Sequence, residues 1–142
     1  AVRAGAPRPD IGSEAAVRQA VLAARSVGFS TGPSGVHLSK LFASWGVSDT
    51  PPGRVVQATP GVPVGSLVAD GQVELGFQQL SELLHVPGIE VLGLLPPDMA
   101  FITTFSAGLC PGPQAPAVAT LLAFLNSAEA ADAKRRHGME PA

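Results

Sequence analysis

Along the 142-residue chain the spacing of apolar positions switches repeatedly between a strand-like period of two and a helix-like period of three to four. Leu38, Leu41, Phe42 and Trp45 stand at i, i+3, i+4 and i+7, the stripe of a helix with one face on a core. Directly before them, Val27-Gly28-Phe29 reads as a short core strand. An earlier helix is predicted from Ser13, a cap residue with Glu14 in the first turn, through Val17, Ala20, Val21 and Ala24 to about Ser26. Gly46 predicts the end of the stripe helix. Residues 54–59 alternate as a strand, Thr59-Pro60-Gly61 turns the chain, and Val64, Leu67 and Val68 share a short helix face ending at Gly71. Residues 73–77 read as the next strand, Leu80, Leu83 and Leu84 as a short helix, and residues 89–95 as a further strand. Beyond Pro96-Pro97, residues 100–109 form a longer strand-like run closed by Pro111-Gly112-Pro113. Val118, Leu121, Leu122 and Leu125 then share a helical face, and Asn126-Ser127 breaks and recaps before a second helix with Glu129 early and Lys134, Arg135 and Arg136 late. Strand and helix alternating through short connections predict an α/β fold: a mostly parallel sheet flanked by helices.

The junction from Val27 to the stripe helix is the candidate site. Ser30, Thr31, Gly32, Pro33, Ser34, Gly35 and Val36 lie between the strand's carboxyl end and the first helical turn, where backbone N–H groups lack intrahelical acceptors and the helix dipole is positive. Ligands of open α/β sheets bind at that end of the strands. The same residues are also an ordinary way to start a helix, with Pro33 in the first turn and a hydroxyl as cap. The Lys of a P-loop is missing, which removes one familiar phosphate-binding reading.

Composition narrows the field. Charged residues make up 14% of the chain and the net charge is −2, which suits a globular domain and provides no basic field for nucleic acid. The single cysteine, Cys110, excludes an internal disulfide and reads as a packed thiol. His37, His85 and His137 have no second ligand at useful spacing, so no metal or other cofactor is expected. No apolar run approaches the ~20 residues of a membrane-spanning helix.

Three stretches, taken in order, resemble the later part of a type II periplasmic solute-binding protein, closest to the molybdate-binding branch of ABC-transporter receptors. They are Pro33-Ser34-Gly35-Val36 opening a helix, residues 67–77 as a helix-to-strand unit, and residues 124–141 as a terminal helix pair. The resemblance implies two lobes around a cleft, with residues 1–6 as the first crossover strand, 7–97 as the second lobe, and 98–142 as the return crossover and C-terminal helices of the first lobe. Most of the first lobe would precede residue 1, and the stripe at Val118, Leu121, Leu122 and Leu125 would have no cover within the chain. Self-association or exchange of an element is then expected.

The resemblance further implies capture of a small anion, molybdate-like or an organic carboxylate, outside the cytoplasm of a bacterium, for delivery to the membrane subunit of an ABC transporter. Carried over by position, the ligand would meet Ser30, Thr31, Ser34, Gly35 and Val36 on one side, Gln78 and Gln79 on the next loop, and Thr104 on the return crossover. Thr104 falls near the position of a tyrosine in the molybdate branch, and this chain contains no tyrosine. The two amides suit an organic carboxylate at least as well as a tetrahedral oxyanion. Capture needs no catalytic residue. The alternative on the same scaffold is an enzyme resembling aconitate isomerase, which would recruit His37 or Glu82 as a base.

Overall fold

The computed structural model describes residues 1–47, 49 and 51–141. They form two compact units, Ala1–Thr103 and Thr104–Ala142. The first contains β1 (Val2–Arg3), α1 (Glu14–Ala23), β2 (Val27–Phe29), α2 (Pro33–Ser44), β3 (Val55–Gln57), α3 (Val64–Ala69), β4 (Leu75–Phe77), α4 (Leu80–Leu83) and β5 (Ile89–Glu90), followed by a 3-10 turn at Pro97–Met99.

Strands β3, β2 and β4 lie side by side in that order and all parallel, with Val27 opposite Val55 and Leu75, and Phe29 opposite Gln57 and Phe77. Antiparallel β1 and β5 pair through Val2 and Glu90. Ala1 joins this pair to β4: its nitrogen donates to the Gly76 carbonyl at 2.7 Å, and the Gly76 N–H donates to the Ala1 carbonyl at 2.9 Å. Where Ala1 carries a free amine, burial beside the strands lowers its pKa from 8.0 to about 6.

The period-two pattern decides what each face of the sheet holds. Val27, Phe29, Leu75 and Phe77 point to one side and pack with Val17 and Val21 of α1 and Leu38 and Phe42 of α2. Phe42 is the hub, with ring centroids 5.9 Å from Phe29 and 5.4 Å from Phe77, both edge-on. The opposite face carries the glycines: a Cβ on Gly28 would meet Val73 at 2.9 Å, and one on Gly76 would meet Val68 at 2.5 Å. Small residues there let α3 lie close to the strands, with Val64, Val68 and Val73 forming a second buried cluster.

Local signals set most boundaries. The Ser13 hydroxyl accepts from the Ala16 N–H at 3.2 Å and starts α1 as expected, but the helix ends at Ala23, short of Ser26. Helix α2 ends at Ser44 with Trp45 as its C-cap, followed by Gly46 at φ 76°. Of residues 89–95 only Ile89 and Glu90 are strand, and residues 100–109 form neither strand nor helix. Their apolar side chains fit the pattern of a strand, but a strand exists only where another lies alongside to take its backbone hydrogen bonds. Cys110, the residue after that stretch, is exposed rather than packed.

The second unit holds α5 (Ala115–Leu125) and α6 (Ala128–Arg136). The break between them falls at Asn126-Ser127 as the sequence implies, and Gly138 follows α6 at φ 74°. No residue of α5 is buried, and Leu121, Phe124 and Leu125 are 55%, 51% and 41% exposed. None of the helices described is long and apolar enough to cross a membrane.

Candidate functional site

Three loops leave the carboxyl ends of the parallel strands and meet around a cavity of about 290 Å³. The loop after β2 contributes Ser30, Thr31, Gly32 and Ser34, the loop after β3 contributes Ala58, Thr59 and residues 61–63, and the segment after β4 contributes Gln78, Gln79 and Glu82. Parallel strands bring this about directly: all three chains turn outward at the same edge of the sheet.

The first loop is held by close backbone packing. Gly35, buried in the first turn of α2, lies so near the end of β2 that a Cβ on it would stand 1.7 Å from the Ser30 carbonyl oxygen. Gly32 caps the helix and no side chain bonds to the helix start, so Ser30, Thr31 and Ser34 do not serve as caps. The Val36 N–H donates to the Gly32 carbonyl at 3.1 Å, and the Ser34 and Gly35 amides precede that first intrahelical bond.

Gln78 organises the opposite wall. Its Oε1 accepts from the Val64 N–H, the first of α3, at 2.8 Å, which fixes the amide's orientation because Val64 requires an acceptor. The other end of the amide then points outward, and Nε2 donates to the Glu82 carboxylate. Glu82 is exposed to the cavity side of α4, while Gln78 and Gln79 are half-buried. The cradle therefore offers hydroxyls, amides and one carboxylate.

Of the residues predicted from sequence, Ser30, Thr31, Ser34, Gln78 and Gln79 come together here. Gly35 lies beneath the cradle as its spacer. Val36 is 50% exposed and lines no part of the cavity, since it stands about 200° around the helix from Ser34, which does. Thr104 opens the second unit. His37, one turn along α2 from Ser34, lies on the wall of a neighbouring apolar cavity. Thr59 and residues 61–63 were readable only as a turn; what marks them is that they follow a parallel strand immediately. Among the described residues no group of three or more His, Cys, Asp or Glu side chains could hold a metal ion.

Aconitate isomerase from Pseudomonas sp is 41% identical over 142 residues, which is 99% of this chain and 54% of that protein, so the chain spans about half the length of this relative. No solved structure matches the chain. The family model of bacterial extracellular solute-binding proteins matches residues 1–140. With its parallel sheet, flanking helices and ligand-sized cradle at the strand ends, the chain belongs to the bacterial extracellular solute-binding protein family.

Proposed function

We propose that the cradle takes a small organic carboxylate, and that the intact protein captures this solute between two lobes in the periplasm or outside the cell and presents it to the membrane subunit of an ABC importer. The mixed wall of the cradle carries the choice of ligand. Ser30, Thr31, Ser34, Gln78 and Gln79 suit carboxylate oxygens, and Glu82 stands on the same wall. A compact dianion such as molybdate presents acceptors in every direction and meets Glu82 as a like charge. An organic acid has carbon or hydroxyl faces to turn toward it.

Glu82 also supports a second reading, in which the same site isomerises a tricarboxylate. A carboxylate beside bound substrate is placed to remove a proton from a methylene activated by its neighbours and to return it after the double bond has moved. The 41% identity to a protein named aconitate isomerase points the same way.

A thermal-shift panel on the intact protein separates these readings. Citrate, cis-aconitate and trans-aconitate in excess should raise the melting temperature, whereas a rise with molybdate or tungstate alone would overturn the carboxylate assignment. Proton NMR of the protein with cis-aconitate then asks for conversion. If the protein only captures solute, the spectrum stays unchanged and Glu82→Gln tightens binding several-fold by removing a like charge. If it isomerises, Glu82→Gln lowers turnover by about 10²- to 10⁴-fold.

A further inference from the structure

We propose that the carboxylate held by the cradle carries an apolar body, and that this body occupies a second, larger cavity opening from the cradle's rim. The proposal rests on the carboxylate reading and specifies the class of acid. The second cavity measures about 450 Å³, within the usual range for small-molecule sites. Ser34, Gln78 and Gln79 line both cavities, so the two adjoin across a polar rim.

Beyond that rim the chemistry changes. Leu38, Phe77 and Leu83 form a buried floor, while Leu94, Phe101 and Ile102 stand at the wall 72%, 43% and 86% exposed. A large apolar lining that shares Ser34, Gln78 and Gln79 with a polar cradle suits a ligand with a carboxylate end and a hydrocarbon end. A compact, fully polar acid would fill the cradle and leave this chamber wet.

His37 is the polar exception in the wall. Its ring stacks on Phe101, with centroids 5.1 Å apart and planes at 24°, and its Nε2 is shielded from solvent without a hydrogen-bond partner. A buried polar atom without a partner is costly, and a hydroxyl or amine on the ligand's body would satisfy it. The fitting class is a carboxylic acid with an aryl or branched alkyl body, bearing a hydroxyl or amine where that body meets His37.

A matched pair isolates the chamber from the cradle: succinate and 2-benzylsuccinate differ only in the apolar body. Calorimetric titration of the intact protein should show 2-benzylsuccinate binding at least about tenfold more tightly than succinate, from burial of the phenyl ring. In Leu94→Glu, a change at an exposed position, that ratio should fall toward one. If citrate or cis-aconitate binds but the benzyl group adds nothing, the cradle reading stands and this proposal falls, as it would if another part of the protein covers the chamber. A benzyl advantage that survives both Leu94→Glu and Ile102→Glu places the body elsewhere and also overturns it. If no carboxylate binds, this proposal and the carboxylate reading fall together.

Discussion

At the scale of single residues, the cradle depends on an absent side chain more than on any present one. Gly35 brings the first turn of α2 against the end of β2, and a methyl group there would stand 1.7 Å from the Ser30 carbonyl oxygen and 2.7 Å from its carbon. Both atoms are backbone, so no rotamer relieves the overlap and the helix start must move away from the strand. Gly35→Ala should therefore destabilise the fold by about 1–3 kcal/mol. Because Ser30 and Ser34 sit on the two sides of that contact, ligand affinity should fall with it. Gly32→Ala is the control: no atom lies within 4 Å of its added methyl and its φ is −72°, so it should cost less than about 1 kcal/mol. Urea unfolding of the two variants checks both figures, and equal costs would remove the packing argument for Gly35.

At the scale of elements, the same economy places α3 on the sheet. Gly76 lies at the centre of β4, where a Cβ would meet Val68 Cγ2 at 2.5 Å and Val64 Cγ1 at 3.1 Å. Gly76→Ala should cost about 1–3 kcal/mol by overpacking. Val68→Ala removes the clashing methyl groups, so the double variant should lose at least about 0.5 kcal/mol less than the two single losses added together. Strict additivity in denaturant titrations would mean that α3 does not rest on Gly76. Contacts of this kind were only half legible in the sequence. Val27, Phe29, Leu75 and Phe77 announce their strands, and Leu38, Leu41, Phe42 and Trp45 announce α2, because periodicity is a local property of the chain. Gln78 and Gln79 were placed at the site by position in the resemblance, and β4 delivers them there because they follow it without an intervening residue. Glu82 entered only as a base that the enzyme alternative would recruit, since α4 has four residues and too short a stripe to show which way each side chain turns. Residues 91–95 and 100–109 were misread for a different reason: alternation shows that a segment could be a strand, while pairing depends on a neighbour that the sequence does not identify.

At the scale of the whole molecule, stability is tied to how β1 joins the sheet. With a free amine at Ala1, the nitrogen that donates to Gly76 must lose most of its water on folding, and burial holds its pKa near 6 against 8.0 in the open chain. Between those values the unfolded state binds the additional proton, so the folded state gains stability as pH rises from about 6 to 8 and no more above that. Below about pH 6 the amine is protonated in both states and the full desolvation cost remains. The gain should reach at most about 2 kcal/mol, since two pKa units set the upper limit and the site keeps some contact with water. Histidines and carboxylates titrate in the same experiment, so the useful quantity is a difference between two chains. The 142-residue chain with a free amine and the same chain acetylated at Ala1 should diverge below pH 8 in urea midpoint, with the acetylated chain more stable at pH 6. Acetylation replaces the ammonium with an amide, which can still donate to the Gly76 carbonyl but carries no charge to desolvate. Parallel pH profiles for the two chains would mean that the amine is solvated to the same degree before and after folding, and that the junction of Ala1 with β4 is open to water.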